Sequence, residues 1–370
     1  MRIGILTFHR AYNCGAMLQA WALKTVLERM GHTVEFPACN GVGERKRWPY
    51  SWFGPFRPGL RWGVDLLRRW RYNLLSIPNE GLLISRYKKF REMYLPERAV
   101  SPEDFGEFYD LVVLGSDQIW RPGMNERDTA YFLGANFPNS LRAISYAASY
   151  GDVPLCDEDL SLVGECTRRL SATSVREQLA KQQLESLTGG DIFVAADPTL
   201  LLEAGDYDAI ANGKVPSEPY LFMYTLLADP FLVNSARALA RRLGVRCVIA
   251  PCYQFSRYGA YTGLEYGMSP DRLVQFSRRA KYILACSFHG TVMGVLFGKP
   301  FLSFRQQIDR YESRPAALLR QLGCEDRLVN PSVSIDDMYQ RLISPIPNVG
   351  GRVMSMREAS IAWLANALKG

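Results

Sequence analysis

Short apolar runs alternate with amphipathic stretches along this chain, and that alternation predicts a parallel α/β fold. Residues 2–7 read as a first buried strand rather than a signal peptide, being short and polar-flanked. Asn13-Cys14-Gly15-Ala16 then opens a helix expected to run through Met30, with Leu18, Ala22, Val26 and Met30 recurring every four residues on one face. Gly31 stops it, and His32-Thr33-Val34-Glu35-Phe36 alternates like a second strand. A β-α-β opening of this kind turns the first helix N-terminus toward the ligand crevice of a parallel sheet.

Further buried strands are expected at 110–114, 143–147, 170–175 and 192–195, with helices over 157–169 and from Glu177. A Pro- and Gly-containing stretch, 203–218, reads as a linker. A second alternation follows: strand from Tyr220, helix 230–243, strand 245–249, helix 270–279, strand 281–285, helix 291–298, strand 300–304. Two such units predict two Rossmann-like domains facing a cleft. The first covers residues 1–205 with an insertion at about 41–98, and the second covers 215–345. A helix within 355–370 is expected to return to the first domain.

Composition narrows the class. No apolar run approaches the ~20 residues of a membrane-spanning helix. Eight cysteines are scattered singly, without Cys-x-x-Cys pairs, which argues against a metal site or a disulfide framework and for a reducing compartment, the cytoplasm. The net charge of +7 is local: Glu44 to Leu75 holds eight basic residues against two acidic ones. That segment also carries four of the seven tryptophans. One basic patch argues against a general nucleic-acid surface. Arg45, Lys46, Arg47, Trp52, Trp62, Arg68, Arg69 and Trp70 instead fit an interfacial helix on an anionic membrane, which predicts a peripheral location on the inner face of the cytoplasmic membrane. A core-packing helix and an RNA-binding patch are the competing readings.

Candidate chemistry gathers where strands are expected to end. Ala285-Cys286-Ser287-Phe288-His289-Gly290-Thr291 follows an apolar run, and His289 is one of only three histidines. Imidazole exchanges protons near neutral pH. Ser287, Gly290 and Thr291 are small enough to form an anion nest beside it; a satisfied core histidine is the plainer alternative. Arg176, Arg305 and Arg314 stand after strands or at helix starts, where a guanidinium fork suits carboxylate or phosphate. Asp117 and Gln118 could hold sugar hydroxyls with Trp120 as a stacking platform, unless they are a helix cap and a core aromatic. Asn13 and Gly15 are equally open between cap and ligand contact, and Asp197-Pro198-Thr199 reads as turn chemistry.

Several strings, taken in order, resemble the polysaccharide pyruvyl transferase family: Asn13–Ala20, Gly115–Trp120, Tyr146–Ser149, Ser174–Glu177, Asp197–Leu201 and Ser287–Thr291. Arg314–Leu319 is similar to the family's late Ser-Arg-x-x-x-Leu-Leu element, with Glu312 where Asn is more usual. The basic insertion lies outside these matches. The resemblance implies a GT-B-like arrangement and transfer of the pyruvyl unit of phosphoenolpyruvate onto two saccharide hydroxyls as a cyclic ketal, in cell-surface or exopolysaccharide synthesis. It implies His289 as the catalytic histidine and Arg176 and Arg314 as donor-binding arginines. Arg305 joins them by position. Phosphoenolpyruvate and a saccharide acceptor, free or polyprenyl-linked, are then the expected partners, with no cofactor or metal. Two other readings stand beside it: a nucleotide-sugar glycosyltransferase on the same architecture, and a non-catalytic membrane-surface scaffold for polysaccharide assembly.

Overall fold

The structure is a computed structural model describing residues 1–38, 81–121, 134, 137–151, 153–225, 229–251, 264–305, 313–346 and 348–369. The membrane-surface expectation at Arg45, Lys46, Arg47, Trp52, Trp62, Arg68, Arg69 and Trp70 lies outside those residues, as does Glu312.

Seven strands form the first sheet: β1 (Arg2–Leu6), β2 (Thr33–Ala38), β3 (Glu97–Ala99), β4 (Leu111–Leu114), β5 (Ala143–Ala148), β6 (Ala172–Val175) and β7 (Phe193–Val194). They are parallel, in the order β3-β2-β1-β4-β5-β6-β7. Ile3 of β1 sits opposite Val34 on one side and Leu111 on the other. Central strands are buried on both faces, so they are continuously apolar. Edge strand β3 is polar and short, and for that reason carries no apolar signature in the sequence.

The second sheet holds β8 (Tyr220–Thr225), β9 (Arg246–Pro251), β10 (Tyr282–Ala285), β11 (Phe301–Phe304) and β12 (Leu328–Val329), ordered β12-β11-β10-β8-β9 and again parallel. The helices are α1 (Cys14–Arg29), α2 (81–94), α3 (Phe105–Phe108), α4 (Asp157–Arg169), α5 (Gln178–Thr188), α6 (Pro230–Leu243), α7 (Pro270–Arg279), α8 (Phe288–Leu296), α9 (Arg314–Gln321), α10 (Ile335–Ile343) and α11 (Val349–Lys369). Among the described residues, no helix is long and apolar enough to cross a membrane. Strand order reverses between β1 and β4 in one sheet and between β8 and β10 in the other. In open parallel sheets, ligands bind at the carboxyl ends of the strands flanking such a reversal.

One cluster of buried side chains joins the two sheets: Ile3 and Phe36 from the first, Leu18 and Leu27 from α1, Phe222 and Phe301 from the second. The stretch expected as a linker takes part. Tyr207 is fully buried there, edge-on to Trp21 of α1 at 5.1 Å and to Phe297 at 6.1 Å, and its hydroxyl donates to Thr199 O at 2.8 Å. Helix α11 returns to the first sheet. Ser360 Oγ accepts from Ala196 N at 2.9 Å, Trp363 stacks on Phe193 at 5.5 Å, and Arg142 donates to Leu368 O at 3.0 Å.

Candidate active site

At the end of β10 the chain turns directly into α8. Ser287 is extended (φ −130°, ψ 157°), and its Oγ accepts from Gly290 N at 3.1 Å, which makes it the N-cap. The helix therefore starts at Phe288, three residues earlier than the apolar pattern suggests, and His289 lies in its first turn. The imidazole faces Gly15 at the start of α1; a Cβ built on Gly15 would collide with the ring, overlapping its Nδ1 edge. Glycine is thus required at that position for the two helix N-termini to meet around one histidine. Gly15→Ala is expected to push the ring aside and lower turnover on the order of 10²-fold, as small misplacements at a reacting centre do. Its melting temperature should move little, because alanine recovers helix propensity while crowding the contact. Activity assays and thermal melts on the purified variant test both halves of this expectation.

Opposite His289 is a buried ionic cluster. Arg176, just past β6, is 6% exposed. Its Nε donates to Glu177 Oε1 at 3.0 Å, Nη1 to Asp197 Oδ2 at 2.9 Å and Nη2 to Ser149 Oγ at 3.3 Å. Asp197 caps a short 3-10 turn, its Oδ1 accepting from Thr199 N at 3.0 Å and Thr199 Oγ1 at 2.6 Å. This leaves Oδ2 for Arg176 and, at 3.5 Å, for His289 Nε2. Asp117 Oδ1 lies 3.8 Å from both Arg176 Nη2 and Arg314 Nη1. The Phe288 ring is shared by the two guanidinium groups, 4.8 Å from Arg176 and 6.0 Å from Arg314.

Electrostatics separates the carboxylates. Burial alone would raise Asp197, but the adjoining His289 and Arg176 and the Thr199 hydrogen bond hold it well below the ordinary range. Glu177 goes the other way: burial raises it more than Arg176 and Arg314 lower it. A cavity of about 330 Å³ opens beside the cluster, its wall including Arg176, Glu177, Asp197, Phe288 and Arg314. His289 is not part of that wall and meets the group through Asp197.

The sequence model of one family, polysaccharide pyruvyl transferase, matches residues 13–307. This chain belongs to that family. No curated protein sequence matches the chain. Among solved structures, a putative UDP-N-acetylglucosamine 2-epimerase from Listeria monocytogenes is similar at TM-score 0.53 and 9% identity, over 97% of this chain and 90% of that one. The UDP-GlcNAc 2-epimerase of Neisseria meningitidis bound to UDP-GlcNAc gives TM-score 0.50 at 11% identity, over 100% and 99% of the two chains. S. aureus MnaA with UDP gives 0.50 at 13%, over 98% and 91%. These likenesses speak for the fold, a GT-B-like pair of parallel α/β units.

Within this pyruvyl transferase, His289, Arg176, Arg314 and Asp117 come together as one cluster. Asp117 thus stands among arginines instead of in a separate sugar-binding patch. Arg176 has its fork occupied by the protein's own oxygens, so its first role is to organise the cluster. Several expected contacts are structural. Trp120 is 1% exposed in the core around Phe105 and Leu114, which removes it as a stacking platform. The Thr291 hydroxyl is engaged by Ser287 O and Ser303 Oγ. A Cβ on Gly290 would come within 2.9 Å of Ala285 and Ser287, so its small size serves packing. Ser287 and Asn13 are helix caps, Asn13 Oδ1 accepting from Gly15 N and Ala16 N. Gln118 is buried, with its amide over Gly151. Arg305 is exposed at the carboxyl edge of β11. The residues sequence reasoning missed are Asp197, Glu177, Ser149 and Phe288, while Gly15, open in the sequence between cap and ligand contact, makes room for the His289 ring. Each lay inside a matching string, but a single apolar or polar letter does not reveal a partner from another strand end.

Proposed function

We propose that this protein transfers the pyruvyl unit of phosphoenolpyruvate onto two hydroxyls of a saccharide, forming a cyclic ketal. The observation that carries the reading is the meeting of His289, which follows β10 of the second sheet, with Arg176, which follows β6 of the first, and with Arg314, around Asp197 and Asp117. Arg314, a quarter exposed on the cavity wall, supplies the charge that holds an anionic donor. His289 gives a proton to the donor's methylene carbon and then accepts one from the first attacking hydroxyl, so it ends the step as it began. The neighbouring Asp197 carboxylate stabilises the imidazolium form. Asp117 and Gln118, at the end of β4, stand beside this centre on the side of the first sheet.

The direct test is incubation with phosphoenolpyruvate and a panel of free and polyprenyl-linked glycans, read by mass spectrometry for a pyruvyl ketal. Phosphate release without such a product, or no reaction with any glycan, counts against the reading. A nucleotide-sugar donor in place of phosphoenolpyruvate separates it from glycosyl transfer. Arg314→Lys is expected to weaken phosphoenolpyruvate binding about tenfold, because an ammonium cannot reproduce the planar fork. Calorimetric titration of that variant checks the value; an unchanged dissociation constant removes Arg314 from the donor site.

A further inference from the structure

Glu177 has one carboxylate oxygen held by donors and one left without any among the described residues. Oε1 accepts from Ser149 Oγ at 2.8 Å and from Arg176 Nε at 3.0 Å. Oε2 is buried and has no hydrogen-bond partner among the described residues, in a residue only 8% exposed. A buried carboxylate oxygen without a donor is costly, whereas a protonated one needs only an acceptor. The residue lines the cavity together with Arg314, and it immediately precedes α5, an eleven-residue helix whose first-turn residues Gln178 and Leu179 also line it. The cavity thus offers a guanidinium and a helix N-terminus, with the unpartnered carboxyl oxygen of the same lining residue buried behind its wall, a combination that suits a phosphoryl group.

We propose that the donor's phosphoryl group sits in this cavity and that the Glu177 carboxyl gives it the proton with which it leaves. The inference rests on the pyruvyl-transfer reading and completes its proton accounting. Two hydroxyl protons leave the sugar; one must end on the methyl carbon and the other on phosphate. His289 cycles the first. For the second, the C–O bond to phosphate breaks with its electron pair staying on the phosphate oxygen, which takes the Glu177 proton and departs as hydrogen phosphate. The second hydroxyl then bonds to the same carbon and releases its proton to the Glu177 carboxylate, directly or through water, restoring the acid. The groups facing Glu177 are Arg176 and Arg314, the Ser149 hydroxyl and Tyr150, with Asp117 and Asp197 beyond the arginine. Burial keeps the carboxyl protonated to higher pH than an ordinary glutamate, so the acid form is present below its raised pKa and is lost as pH rises through it.

Glu177→Gln keeps the shape and an N–H toward the cavity but cannot release a proton. With the acceptor glycan identified by the mass assay, this variant is expected to bind phosphoenolpyruvate within about threefold of wild type, by calorimetry. Turnover is expected to fall by about 10²-fold, and the decline of rate with rising pH should become shallower than in the wild type, since the other acid of the mechanism remains. Glu177→Asp, which retains an acid, should recover part of the rate together with the steeper decline. A Gln variant with near-normal rate, or with a high-pH decline as steep as the wild type's, overturns the assignment; so does a parallel loss of donor binding and rate, which makes Glu177 a holding residue only. If the wild type itself yields no ketal with any glycan, the pyruvyl-transfer reading has failed instead.

Discussion

Alanine at His289 is expected to reduce pyruvyl transfer by on the order of 10²–10⁴-fold while phosphoenolpyruvate remains bound. The expectation follows from where the ring sits. It lies between Gly15 of α1 and Asp197, edge-on to Phe288 at 5.2 Å, and its Nε2 has no hydrogen-bond partner among the described residues. Arg314 lines the cavity and His289 does not. On the proposed reading, truncation removes the proton carrier and leaves the anion seat in place. Steady-state turnover and calorimetric donor binding, measured on the same preparation, separate the two. A variant that transfers pyruvyl at near the wild-type rate would remove His289 from the chemistry.

Asp197→Asn is expected to cost about 3–5 kcal/mol of stability, the usual penalty for breaking one side of a buried ion pair. Arg176 and His289 share the same Asp197 oxygen, and the side chain is wholly buried. Removing its charge leaves the Arg176 guanidinium in a dry site with less compensation. The pH dependence has a definite sign. Because the folded-state pKa lies below the unfolded one, this carboxylate's contribution is fully present above the ordinary Asp range and is lost as pH falls toward the depressed value. Urea titrations at neutral pH should show the full gap between wild type and variant. In strong acid the gap should shrink. Equal stability at neutral pH would mean that the cluster does not depend on this pair.

The central strands were legible because burial on both faces leaves an unbroken apolar run, and Tyr282-Ile283-Leu284 led correctly to the His289 corner. The start of α8 was not, since Ser287 looks the same in sequence whether it caps a helix or lines an anion nest. Trp120 shows the limit for aromatics: periodicity says that a ring is present, while only the packing of β4 and β5 says that it points inward. Asp197 was read as a turn residue, and it is one, through Oδ1. Its other oxygen acquires a role only when the packing of one sheet against the other brings His289, after β10, to the Arg176–Asp197 pair at the ends of β6 and β7. Ion pairs assembled between the strand ends of two sheets leave no local pattern in the chain.

Gly15 has a consequence for exchanging parts between relatives. The His289 ring comes from one half of the molecule, and the space it needs comes from the other, as the absence of a single carbon atom. A chimera that joins the first half of one relative to the second half of another inherits a working centre only if both sides of that contact come as a matched pair. Recombination at 203–218 meets the same constraint, because Tyr207 is wedged against Trp21 before it and Phe297 after it. The halves look modular in their strand order, but they are interlocked at the two places where shuffling would have to cut.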